Sequence, residues 1–171
     1  MTEGTLEHLY VQSRLGLETA KKLDLIHFYE SPASTRFHGA YPGGLFDHSK
    51  AVAENLVWLT AQLGLKWQRP DSPVRIGILH DICKCDCYIL CSDGSYRFNR
   101  DAESGHGDKS VFVAQRLGLQ LTEEEELCIR WHMGAFDEKE NWSEYTEAIH
   151  KYPNVLYTHT ADMIVAHIDM C

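Results

Sequence analysis

Apolar side chains recur at three- and four-residue intervals over most of this chain, the spacing that gathers them on one face of a helix. Residues near Leu6 to Tyr29 follow it as two short helices broken near Gly16. Small and turn residues then interrupt it, Ser31-Pro32-Ala33-Ser34-Thr35, and Tyr41-Pro42-Gly43-Gly44 closes the interruption. Leu45 to Leu63 reads as a helix with Gly64 as its stop. Ser72-Pro73 starts the next, a capping hydroxyl followed by proline in the first turn, and that helix is expected to run to about Cys83. The period changes once. Cys87 to Leu90 and Tyr96 to Phe98 flank the turn residues Ser92-Asp93-Gly94-Ser95 and read as a strand pair. Helical spacing resumes near Gly107 and stops at Gly118. Thr122 and Glu125 form a capping box for a helix expected to carry His132. Two more helices are expected, about Ser143 to Lys151 and about Val155 to Ile168. The pattern predicts an all-α fold with one short β-hairpin inserted after the His-Asp helix. No repeat, low-complexity tract or linker divides it, so residues 1–171 are read as one domain, with 1–30 as an N-terminal helical segment packed on the rest.

A length of 171 residues and 44% apolar composition suit a single globular core. No apolar run reaches spanning length; the best, around Leu56 to Leu65, is interrupted by Thr60, Gln62 and Gly64. Met1-Thr2-Glu3-Gly4 lacks the basic and apolar regions of a signal peptide, so the expected location is cytoplasmic, with no membrane partner. The six cysteines are then expected as reduced thiols. A net charge of -9 argues against duplex nucleic acid as a partner, since such binding rests on many Lys or Arg contacts to phosphates. A small phosphorylated substrate remains compatible, because bound cations would reverse the field inside a pocket.

Chemistry concentrates at His80-Asp81, within Ile78-Leu79-His80-Asp81-Ile82-Cys83-Lys84. His48 precedes this pair, and His106, His132 and Asp162 follow it. Imidazole nitrogen mixed with carboxylate oxygen is what a hard or borderline divalent cation requires. The six residues fall one or two per expected helix over five helices, and a bundle can aim side chains from facing helices into one site. Helical spacing puts Lys84 on the face of His80 and Asp81, and Lys109 on the face of His106. Lys84 would meet either a substrate phosphate or a carboxylate. Arg36 and His38 sit in the Gly/Pro-rich loop before His48, a place for substrate contact. His159, one turn before Asp162, could orient that ligand or its water. Arg130 should point elsewhere, and His8, His27, His150 and His167 read as ordinary core or surface histidines. Cys83, Cys85, Cys87 and Cys91 do not have the two C-x-x-C pairs of a zinc site and read as ordinary thiols.

The ordered set His48, His80-Asp81, His106, His132, Asp162 resembles the HD-domain metal-dependent phosphohydrolase superfamily, in particular its small single-domain bacterial and phage members. Three stretches carry the likeness: SPASTRFHGAYPGGLFDH from Ser31 to His48, GHGDKS from Gly105 to Ser110, and IRWHMG from Ile129 to Gly134 with His159-Thr160-Ala161-Asp162. It spans nearly the whole chain from Ser31 onward. The resemblance implies an HD-domain helical bundle in which His48, His80, Asp81 and Asp162 hold one metal. Asp81 would bridge to a second metal held by His106 and His132. Two departures stand out. Met133-Gly134-Ala135-Phe136 follows His132 in place of the Gly-Tyr-Pro signature of cyclic-dinucleotide phosphodiesterases, and Cys83 precedes Lys84 where that type has glycine.

The activity implied is hydrolysis of a phosphomonoester or phosphodiester, of a nucleotide above all, by metal-activated water. Asp81 and Lys84 are its expected catalytic residues, and Arg36, His38, Lys84 and Lys109 its expected substrate contacts. The cofactor is one or two divalent ions from among Mn, Fe, Co, Ni, Zn and Mg. Two alternatives stay open: a di-iron oxygenase of the same superfamily, and a metal-dependent nucleotide-binding regulator without turnover.

Overall fold

A computed structural model describes residues 2–35, 39–102, 105–134 and 139–169. The Thr5 hydroxyl accepts the His8 N–H at 3.3 Å and so starts α1 (Leu6–Leu15). α2 (Leu17–Leu25) follows directly beyond Gly16, so the expected pair forms. Phe28 and Tyr29 then turn inward and meet Phe46 at ring separations of 6.3 and 6.0 Å. This aromatic cluster seats the N-terminal helices on the start of α3 (Gly44–Leu63), which Gly64 ends in a left-handed conformation.

α4 (Ser72–Leu79) packs along α3. Gly77 makes this possible, since a Cβ there would lie 2.4 Å from the Ala53 backbone. α4 is shorter than the spacing predicts. Asp81 leaves helical geometry at φ -114° and ψ 13°, and a 3₁₀ turn runs from Ile82 to Asp86. His80 and Asp81 therefore lie at the junction of the two, not on the last turn of an α-helix. The hairpin follows as β1 (Tyr88–Leu90) and β2 (Tyr96–Phe98), with Ile89 opposite Arg97.

α5 (His106–Arg116) and α6 (Glu123–Arg130) come next. The Thr122–Glu125 capping box forms as expected, but α6 ends at Arg130 and leaves His132 in the turn beyond it. α7 (Trp142–Lys151) and α8 (Asn154–Ile164) complete the bundle, and α8 continues as a π turn over Val165–Asp169. The described residues thus form eight α-helices and one two-stranded hairpin, an all-α architecture. None of those helices is long and apolar enough to cross a membrane.

Glu125 ties the frame together at the end opposite the histidines. It is fully buried, accepts the Ser72 hydroxyl at 2.7 Å and the Arg69 Nε–H at 3.1 Å, and closes the cap with Thr122. Ser72 begins α4 and Thr122 begins α6, so one carboxylate aligns the N-termini of both helices. Their C-terminal ends then deliver His80-Asp81 and His132 to the same place. Asn154, at the start of α8, donates to buried Glu124 at 2.7 Å and registers the third helix against them.

Candidate metal centre

Each imidazole in the cluster is aimed by its own neighbourhood. His80 Nδ1 lies 2.8 Å from the Gly77 carbonyl, and His132 Nδ1 lies 2.7 Å from the Ile129 carbonyl. A carbonyl oxygen has no proton to give, so both Nδ1 atoms are the donors and both Nε2 atoms present lone pairs when the rings are neutral. This is how metal-binding histidines are commonly held. His159 adds a further brace, with Nδ1 2.7 Å from the carbonyl of His132. It therefore braces His132, an expected ligand, through its backbone, and not Asp162.

The six expected ligands converge. His48 Nε2 sits 3.2 Å from His80 Nε2 and 3.1 Å from Asp162 Oδ1. The ring centroids of His48 and His80 are 5.2 Å apart, those of His80 and His132 4.9 Å, and those of His132 and His106 5.3 Å. Asp81 lies between the two ends of this row, and its two oxygens face different partners. Oδ2 is 3.4 Å from both His48 Nε2 and His80 Nε2. Oδ1 is 2.7 Å from His106 Nε2 and 3.5 Å from His132 Nε2.

Burial opposes charge throughout the cluster, and the neighbours decide the outcome. It works against ionisation of Asp81, but the charges of Lys84, His80 and His106 outweigh it and hold that carboxyl well below the usual carboxylate range. Burial also opposes the charge of Asp162, where the hydrogen bond from His48 and the His80 and His132 charges win in the same direction. His80 goes the other way: burial pushes it down. His48 is desolvated too, yet its hydrogen bonds to Asp162 and Asp81 raise it.

This donor set fits a divalent cation. Ligand-type atoms of three overlapping groups lie close together: nitrogen and carboxylate oxygen in His48/His80/Asp162 and His80/Asp81/His132, with the Cys83 sulfur joining Asp81 and His106 in the third. His132 Nε2 is buried and has no hydrogen-bond partner among the described residues. An orphan lone pair in that position costs free energy unless something positive meets it. Four imidazoles around two ionised carboxylates are the mixture that zinc and its first-row neighbours accept.

Lys84 reaches the cluster through the 3₁₀ turn, in which residues three apart stack, and its Nζ is 2.6 Å from Asp81 Oδ2. Burial opposes its charge, and Asp81 more than restores it. Of the two partners expected for Lys84, the carboxylate is the one it meets here. Lys109 departs from expectation. Its ammonium turns away from His106 to Asp86 Oδ1 at 2.5 Å, because α5 carries it over the 3₁₀ turn and the Cys87 sulfur. Arg36 and His38 lie outside the described residues. Arg130 points elsewhere, as expected, to Asp108 and over the Trp131 ring. Cys83, Cys85, Cys87 and Cys91 are free thiols and do not converge as a ligand quartet.

A pocket of about 190 Å³ opens on His48, Asp81, Lys84 and Asp162, with Met133, Met163, Ala166 and His167 as its remaining walls. The wall residues escaped the sequence reading. His167 has the spacing of a surface histidine, and only the π turn after α8 brings it round to the opening. No family model, curated protein or solved structure matches this chain.

Proposed function

We propose that this chain is a metal-dependent phosphohydrolase built as an HD-domain helical bundle. Its substrate is a small phosphate ester or diester, of a nucleotide above all. The observation that carries the reading is the division of Asp81. One oxygen faces His48 and His80, with Asp162 beside them, and the other faces His106 and His132. A carboxylate shared in this way could help hold two divalent cations, which would supply charge stabilisation to the oxygens of a phosphoryl displacement.

Divalent ions held there would supply charge neutralisation at the phosphoryl oxygens and a water acidic enough to act near neutral pH. The chain's own residues supply the rest. Lys84, on the pocket wall, donates to a phosphoryl oxygen when the substrate draws it from Asp81, and it stabilises the charge that grows in the transition state. His167 stands on the same wall, where it can hand a proton to the departing oxygen. Met133 and Met163 present polarisable, adaptable surface to the organic part of the ester. The pocket's volume of about 190 Å³ takes a phosphoryl group and leaves little room for a whole nucleoside.

The test is a phosphate-release screen after loading with Mn, Fe, Co, Ni, Zn or Mg. It covers simple phosphate esters, nucleotides and cyclic dinucleotides. Turnover that a chelator abolishes and metal restores is the expected result. Metal-loaded protein that releases no phosphate across the panel overturns the reading. Oxygen consumption by the iron-loaded protein with an organic substrate would put an oxygenase in its place, and tight nucleotide binding without turnover a regulator.

A further inference from the structure

Two of the four clustered imidazoles are held from behind by main-chain carbonyls, and a third, His106, is held differently. It is the first residue of α5, and its Nδ1 faces the sulfur of Cys83 at 3.5 Å. The opposite ring nitrogen, Nε2, lies 2.7 Å from Asp81 Oδ1. Cys83 is itself fixed. It is 1% exposed, and its N–H donates to Ser110 Oγ at 3.2 Å. Ser110 stands one helical turn after His106, so the thiol docks against a single stripe of α5. On its other side α5 is held close to α6 at Gly107, where a Cβ would strike the Arg130 carbonyl at 1.9 Å.

We propose that Cys83 is the positioning residue for His106: once a cation displaces the proton that Nε2 shares with Asp81, the Cys83 sulfur accepts the Nδ1–H, holds the ring, and so sets the affinity of the second cation position. The inference rests on the metal-dependent reading above. Cys83 is not a ligand in this arrangement. Its sulfur lies on the Nδ1 side of the imidazole, whereas the nitrogen that faces Asp81 is Nε2. Sulfur is also a weaker and longer acceptor than the carbonyls behind His80 and His132. The His106 position is accordingly the more loosely held of the two. His106 is also the most exposed of the four rings, at 32%, against 1% or less for the others.

The measurement is a calorimetric titration with Mn²⁺, checked by elemental analysis, on the wild type, Cys83→Ala and Cys83→Ser. Removing an outer partner of a metal-binding histidine commonly costs about 10- to 100-fold in affinity. Cys83→Ala should weaken the second ion by that factor and leave the first unchanged. Cys83→Ser should recover most of the loss, since its hydroxyl accepts the same N–H. If the alanine variant does not fold, Cys83→Val, similar in volume but without an acceptor, decides against serine. Unchanged affinity for both ions, equal weakening of both, or a wild type that binds only one ion overturns the proposal. A protein that binds two ions with the second dependent on Cys83, yet releases no phosphate, leaves this inference standing and removes the phosphohydrolase reading.

Discussion

Replacing Gly77 by alanine tests how closely the two helices that carry His48 and His80 must approach. A Cβ at position 77 would sit 2.4 Å from both the N and the Cα of Ala53, and 2.6 Å from its Cβ. Ordinary van der Waals contact begins near 3.4 Å, so α3 and α4 must part by about 1 Å or distort. Backbone atoms cannot rotate aside, which places the cost near the upper end of the roughly 1–3 kcal/mol typical of overpacking. Alanine returns about 1 kcal/mol of helix propensity over glycine, so the net loss should be about 2 kcal/mol. The site should suffer more than the fold. His48 Nε2 and His80 Nε2 are 3.2 Å apart, and metal–ligand distances tolerate only about 0.2 Å of error. Urea unfolding gives the first quantity and Mn²⁺ titration the second. Ala53→Gly added to Gly77→Ala removes one of the three close contacts and should rescue incompletely. A Gly77→Ala protein of wild-type stability and metal affinity would refute the helix packing as described.

Three further outcomes follow from the same contacts. Lys84→Ala should retain its metal while turnover falls about 10²- to 10³-fold, the range for loss of one transition-state donor; collapse of metal content would make Lys84 a support for the ligands instead. Glu125→Ala strips the buried partner of Ser72 and the Thr122 cap, and urea unfolding should show a loss of about 3–5 kcal/mol, with Arg69 contributing little because it reaches solvent; a loss under about 1 kcal/mol would deny Glu125 its anchoring role. In the metal-free protein the His48 proton is held above the ordinary histidine range by Asp162 and Asp81, so a cation must displace it. Binding at neutral pH should release up to about one proton, and affinity should fall as the pH drops through that raised value. Titrations in buffers of different ionisation enthalpy measure this, and uptake without proton release would show His48 to be neutral.

The helix starts and stops were legible because they are local. The Thr122–Glu125 box and Gly64 each act through bonds within a few residues and stand where the pattern puts them; Ser72-Pro73 opens α4 as expected, but the Ser72 hydroxyl does not cap it and donates instead to Glu125, 53 residues away. The metal-type residues were legible as a set because few other reasons place histidines and aspartates in that order. What could not be read is where the chain leaves helical geometry near them. His80, Asp81 and His132 lie at or beyond helix ends because tertiary contacts there outbid propensity, and periodicity carries no record of those contacts. Lys109 shows the same limit: its spacing from His106 is right, but its ammonium answers to Asp86, which is 23 residues away. Cys83 is the sharpest case. Nothing in its spacing marks it as more than one thiol among several, and only the docking of α5 sets it behind His106.

Placement at helix ends also explains how a buried cluster of this charge can exist. A side chain inside a helix has its direction set by the helix as a whole, whereas a residue in the turn beyond can be aimed by a single hydrogen bond to the preceding backbone. His80 and His132 are aimed in this way, each to the carbonyl three residues earlier. Those carbonyls fall in the last turn of α4 and α6, where they lack a helical partner and accept the imidazole N–H at no cost to the helix. One bond thus satisfies the helix end and fixes the ring tautomer together. Among the described residues, ionised Asp81 and Asp162 have one ammonium, that of Lys84, as a close partner. Without that ammonium and a proton on His48 the two carboxylates would leave a net negative field in a buried place, an expensive state. The proton that His48 keeps and the Lys84–Asp81 pair both act to reduce it. A divalent ion would do the same work more fully and release both groups, which is why the proton on His48 and the ammonium of Lys84 should respond to metal together.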